Sequence, residues 1–188
     1  MQIGGSRQAL RLCCTLILLT VCSGCARPSA GETGIDDHKE TYYFDAKLAF
    51  AIEHPADWKL LRGEGDEPES CTVRWHSPPE HEGEEPVVRA EVSACPIVHE
   101  PGGSEKMRED FLLAHPTLSL TEDKVVELPG GTGLMLVGTD PMRTYLAAFL
   151  RSANRGYSLT FSAPGEKFES YRPLFAEILE SFRSQPER

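Results

Sequence analysis

A membrane-crossing helix needs about twenty consecutive apolar residues, and this sequence has no such run. Its longest, Leu12 through Val21, is about half that length. Basic residues are also scarce, with 19 Lys and Arg against 29 Asp and Glu and a net charge of −10. Such a surface repels nucleic acid and offers no polybasic segment to anionic lipid. Catalytic signatures are missing too: there is no Gly-x-Ser-x-Gly elbow, no His-Glu-x-x-His helix and no Ser-x-x-Lys motif. Pro129-Gly130-Gly131-Thr132-Gly133 lacks the Lys-Ser/Thr ending of a phosphate loop and joins two strand-like runs. It reads as a tight turn needing positive φ. These absences predict a protein that is not an enzyme, binds no nucleic acid and uses no cofactor.

What is present first is an export leader. Arg7 and Arg11 precede the apolar run, which ends in Cys22-Ser23-Gly24-Cys25. That ending resembles the lipobox of bacterial lipoproteins, in which small residues precede a cysteine whose sulfur receives diacylglycerol. Cys22 stands where Leu is usual, and ordinary secretory cleavage after Ala26 is the alternative. The expected organisation is a lipoprotein signal peptide over residues 1–24, a lipid-anchored flexible tether over 25–40 beginning at acylated Cys25, and one globular domain over 41–185. Each buried CH₂ of an acyl chain contributes about 0.8 kcal/mol, so several chains anchor firmly where one binds only marginally. By analogy with lipoprotein sorting in enterobacteria, Ala26 directs such a protein to the outer membrane, facing the periplasm. The 19 basic residues less Arg7 and Arg11 leave 17 against 29 acidic ones, a net charge of −12 for the remaining chain. Attachment must therefore come from the lipid and not from charge.

From Thr41 the chain breaks into short runs bounded by turn residues, most of them alternating apolar with polar. Strands are expected over 42–45, 48–54, 72–76, 87–95, 118–128, 133–139, 143–151 and 157–163. In the fourth, Val88, Ala90, Val92 and Ala94 share a face against Arg89, Glu91 and Ser93. Strands with one wet face imply an antiparallel sheet. A first helix begins at a Ser104 cap and carries Met107 and Phe111 until His115 and Pro116 end it. A second, from about Glu166 to Phe182, carries Phe168, Tyr171, Phe175, Ile178 and Phe182 on one stripe. Pro173 predicts a break there, with one turn followed by a helix capped by Ser170. The class is α+β, without the βαβ rhythm of a parallel sheet.

The order of elements over residues 42–183 resembles the PsbP/DcrB-like family. The residues that carry the likeness are Phe50-Ala51-Ile52-Glu53-His54-Pro55 with Trp58, Gly156 through Ala163, and Ile178 through Phe182. The resemblance implies a PsbP-like αβα sandwich, an antiparallel sheet flanked by helices. It also implies an accessory or binding module, by analogy only, since these anchors are packing residues.

Two constellations remain. Cys71 and Cys95 are the only cysteines after Cys25, and in an oxidising compartment such a pair is a tentative disulfide. If Val73 faces Ser93, Cys71 sits opposite Cys95; the apolar pattern instead prefers Val73 opposite Val92, which sends the sulfurs to different faces unless a bulge intervenes. His76 and His81 lie among carboxylates in the loop His76 to Glu85. They are weak metal candidates, because their spacing across a Pro pair matches no closed zinc pattern. The leading functional expectation is a membrane-anchored envelope lipoprotein acting as a non-enzymatic accessory or protein-binding module. The alternative is a periplasmic small-ligand or metal-binding protein. An exposed aromatic patch favours the first, and convergent polar groups in an apolar cleft favour the second.

Overall fold

The alternating runs assemble into two antiparallel sheets. The computed structural model describes residues 40–61, 71–96, 103–152 and 155–184. The leader, Cys25 and the tether before residue 40 lie outside the described residues. The larger sheet has seven strands in the order β3 (Lys59–Leu61), β4 (Thr72–His76), β5 (Arg89–Pro96), β9 (Arg155–Ala163), β8 (Thr144–Arg151), β7 (Gly131–Thr139) and β6 (Ser119–Leu128). The smaller sheet pairs β1 (Glu40–Asp45) and β10 (Arg183–Ser184) with a central β2 (Phe50–Pro55). Helix α1 (Gly103–Ala114) lies on one face of the large sheet, and α2 (Gly165–Ser181) lies on the other with the small sheet. Each helix is also tied to edge strand β6: Arg108 of α1 pairs with Asp123, and Arg172 of α2 pairs with the neighbouring Glu122. Successive strand residues point to opposite faces, so the two ties confirm the αβα layering.

The main core is the α2 face. Trp75, Val92, Leu159, Phe161, Phe168 and Phe175 are all at most 2% exposed, and the Phe161 and Phe175 rings stack 5.2 Å apart. Phe50 and Ile52 bring the small sheet onto the same core, where Phe50 meets Tyr157 and Phe182. Burying each such side chain stabilises by about 1.5–3 kcal/mol.

Pro173 does not break the second helix, which runs unbroken from Gly165 to Ser181. Ser170 caps nothing; its hydroxyl donates to the Lys167 carbonyl one turn back, at 2.6 Å. Phe168 lies before Pro173 and Phe175, Ile178 and Leu179 after it, all buried on one face. That packing holds both halves in line against a proline cost of about 3 kcal/mol. Ser104 lies in the first turn of α1, which begins one residue earlier than expected. Strand β2 starts two residues late, because Asp45 Oδ1 accepts from the Lys47 and Leu48 amides and Ala49 adopts φ 55°. The Tyr157 hydroxyl reaches the Leu48 and Ala49 carbonyls at 3.2 and 2.9 Å, pinning this strained turn. Strands β3 and β10, of three and two residues, have too little sequence to show a period. The 129–133 segment is the expected turn: Gly131 has φ 145°, and a Cβ there would lie 2.4 Å from the Arg151 carbonyl oxygen.

Candidate functional site

Alternation gives the second face of the large sheet two different halves. On β7 and β8 it is apolar: Leu134, Leu136, Ala147 and Phe149 pack under Met107, Phe111 and Leu112 of α1. On β4, β5 and β9 it is polar, and the register lines the residues up in rungs. His76 pairs with Arg89, Arg89 with Ser162, and Ser162 with Tyr145. One rung on, Arg74 pairs with Glu91, Glu91 with Thr160, and Thr160 with Ala147. Helix α1 roofs the apolar half and, through Met107, only the Cys95 and Gly156 end of β5 and β9. What remains is a cleft of about 720 Å³, within the size range of small-molecule sites. Its wall is Met107 and Phe111, and its floor is the polar rungs.

Electrostatically the cleft is the reverse of the chain as a whole. Arg74, Arg89 and Arg143 all line it. Arg74 Nε binds Glu91 at 2.6 Å, and Arg89 pairs with the exposed Glu85. Arg143 has no carboxylate partner among the described residues. It is held by neutral acceptors: Nε donates to Ser162 Oγ at 3.1 Å, and Nη2 to the Val87 and Ser162 carbonyls at 2.7 and 2.9 Å. Burial, and then the neighbouring Arg89, hold its pKa below the ordinary guanidinium value. His76 is pushed down by burial and next by Arg89, Arg74 and Arg143, with Glu85 opposing. At the far rim the His115 ring meets Phe111 and Tyr145 at a tilt, with centroids 4.4 and 4.8 Å away. Burial, then a hydrogen bond to Asp140, raises the Tyr145 phenol. Among the described residues no carboxylate is buried.

The residues singled out from sequence fall in different places. His76 is on the cleft floor, whereas His81 is exposed at the tip of the β4–β5 loop. Three guanidinium groups around His76 oppose a metal cation there, and among the described residues no group of three or more His, Cys, Asp or Glu is arranged to hold one. Cys71 and Cys95 are both free thiols, so the tentative disulfide is not formed. The apolar register prevails, with Val73 opposite Val92, and the Ala94 amide donates to the Cys71 carbonyl at 2.8 Å. A one-residue slip to bring the sulfurs opposite would turn Val73 and Trp75 out of the core. Cys95 Sγ instead sits 3.7 Å from Met107 Sδ, and burial raises its thiol pKa. The residues missed were the three arginines and Ser162. The signal available was a polar face on β4, β5 and β9 too wide for the narrow Met107/Phe111 stripe to cover.

A second surface feature lies on the small sheet. Strand β1 is one of its two outer strands, and no described strand pairs with its free edge. Tyr42 and Phe44, on one face of β1, are 62% and 53% exposed, while Tyr43 between them is buried.

No protein-family model matches this sequence, and no curated protein does either. Solved structures do share its fold. The cyanobacterial PsbP, CyanoP, of Synechocystis sp. PCC 6803 superimposes with a TM-score of 0.60 at 16% identity, over 84% of this chain and 99% of its own. The Saccharomyces cerevisiae Ran-binding protein Mog1p gives 0.55 at 11% identity, over 78% of this chain and 96% of its own. LpqN of Mycobacterium tuberculosis, involved in cell envelope biogenesis, gives 0.55 at 17% identity, over 79% of this chain and 91% of its own. At these identities the likeness concerns the fold alone. PsbP is thus one of several equally distant matches, and none of the three is described by a catalysed reaction.

Proposed function

We propose that this chain is a lipid-anchored protein of the bacterial cell envelope, acylated at Cys25, whose single folded domain acts as a non-enzymatic accessory module by docking a protein partner. The anchor reading rests on the lipobox-like Cys22 to Cys25 and the short apolar run before it. Among the described residues no helix is long and apolar enough to cross a membrane. The docking reading rests on one observation: two exposed aromatics, Tyr42 and Phe44, on a strand whose outer edge pairs with no described strand. An open edge offers backbone hydrogen bonds to an added strand, and aromatics supply the apolar contact that makes such addition worthwhile. Mog1p binds Ran, which shows only that this fold can serve protein recognition. The test is crosslinked capture from native membranes. The intact chain should return one dominant protein, and Y42S/F44S should lose it; equal recovery by both would overturn the docking reading. Intact mass of the native product should show loss of residues 1–24 and added fatty acyl mass, and an unprocessed Met1 would overturn the anchor.

The cleft favours a second reading, a binder of small ligands, because polar groups converge beside an apolar wall. It is separable from the first, since the cleft and β1 lie on opposite sides of the large sheet.

A further inference from the structure

The cleft holds a cation that is fixed in place by neutral acceptors, with no carboxylate in salt-bridge contact among the described residues, although Glu85 and Asp140 act on it through space. Arg143 spends Nε and Nη2 on Ser162 and Val87, all neutral acceptors, and Nη1 has no partner among the described residues. A half-buried charge without a counter-ion is costly, and an anion that reaches it repays the cost. Arg89 is joined to the same rung through Ser162, and Arg74 lies one rung away. The cleft's acids are already engaged, Glu91 by Arg74 and Asp110 by Lys106. The floor from β4 to β8 therefore carries positive charge in a chain whose net charge is −10, and the Ser162 hydroxyl, beside Arg89 in register, accepts from Arg143. The wall beside them is apolar, formed by Phe111 and Met107.

We infer that the cleft binds a small organic anion, a carboxylate or phosphate group seated on Arg143 beside Arg89, with Arg74 one rung further across the floor and an apolar body lying along Phe111 and Met107. This rests on the second reading, that the cleft is a ligand site, and names the ligand class. The planar fork of a guanidinium suits both oxyanions, so the headgroup chemistry is shared and the experiment separates the two.

The test is titration of the full-length protein in lipid nanodiscs, followed by calorimetry and by NMR of the His76 ring. The probes are 4-phenylbutyrate, its neutral isostere 4-phenylbutanamide, and phenyl phosphate. The carboxylate or the phosphate ester should bind at least about tenfold more tightly than the amide, weakening as salt rises, and whichever binds tighter identifies the headgroup. R143Q should lose about tenfold or more in affinity for the anion while leaving the amide unchanged, and R143K should recover part of it. Because Arg143 also pins Val87 and Ser162, R143Q can fail to fold; R74Q/R89Q, at the exposed guanidinium groups, must then weaken the anion by about threefold or more. Bound anion should raise the His76 pKa by offsetting Arg74, Arg89 and Arg143, beyond what Glu85 already does. Equal affinity for amide and anions would overturn this inference and leave the ligand-site reading standing. Saturable binding of none of the probes would overturn both, leaving docking through β1 untouched.

Discussion

The two faces of the seven-stranded sheet are built from the same strands and differ in almost every other respect. Toward α2, residues of odd or even parity such as Val92, Leu159 and Phe161 meet a helix stripe wide enough to cover them, and water is excluded. Toward α1, the alternate residues of the same strands meet a shorter helix whose apolar side chains are only partly buried. One face supplies stability. The other leaves half its width open, and there the chain places arginines, hydroxyls and an imidazole instead of hydrocarbon. Arg143 stands at that boundary, half-buried, tying Val87 to Ser162 through neutral acceptors and without a salt-bridge partner among the described residues.

The sharpest way to break this comparison is to cut one aromatic from each helix and measure unfolding in denaturant. F175A removes a fully buried ring and should cost about 3–5 kcal/mol. F111A removes a half-buried one and should cost about 1–2 kcal/mol; equal losses would mean that the α1 face also carries the core. P173A comes next. Pro173 is exposed within α2, so restoring an amide there should raise stability by about 1–3 kcal/mol, and no gain would show the helix already kinked to suit the proline. Y157F should cost about 1–2 kcal/mol, because the Leu48 and Ala49 carbonyls lose their buried donor. A49G should recover part of that loss by relieving the positive φ.

Much of the α2 face was legible in the sequence, because burial enforces period: Phe168, Phe175 and Ile178 recur at helical spacing, and Val88 through Ala94 alternate. The break expected at Pro173 failed because a local rule met tertiary packing stronger than itself. The cleft was only half legible. His76 was singled out for metal chemistry on its residue type, but what decides its role is the company of Arg74, Arg89 and Arg143, brought together by strand pairing across more than sixty positions. Alternation says that a residue faces the wet side; it does not say whether a helix roofs it. Cys71 and Cys95 show the same limit, since composition favoured a bridge and register, set by Val73 and Trp75, separated their backbone positions by one residue.

The smallest expected effect is the one that distinguishes the faces by charge alone. Apolar packing between Phe161 and Phe175 contributes nothing that titrates, so any dependence of stability on pH near neutrality must come from elsewhere, and the cleft offers His76. Its folded pKa lies below the ordinary imidazole value of 6.5, through burial first and then the three guanidinium groups. In that window the unfolded chain binds more protons than the folded one, so stability rises with pH. The contribution is fully present above the ordinary value and is lost as pH falls through it toward the depressed folded pKa. H76Q should therefore flatten the stability profile just below pH 6.5 while leaving stability at pH 8 nearly unchanged. Denaturant melts of both proteins across that range provide the measurement. A wild-type profile already flat there would mean that the arginines do not bear on His76, and the electrostatic contrast between the two faces would lose its support.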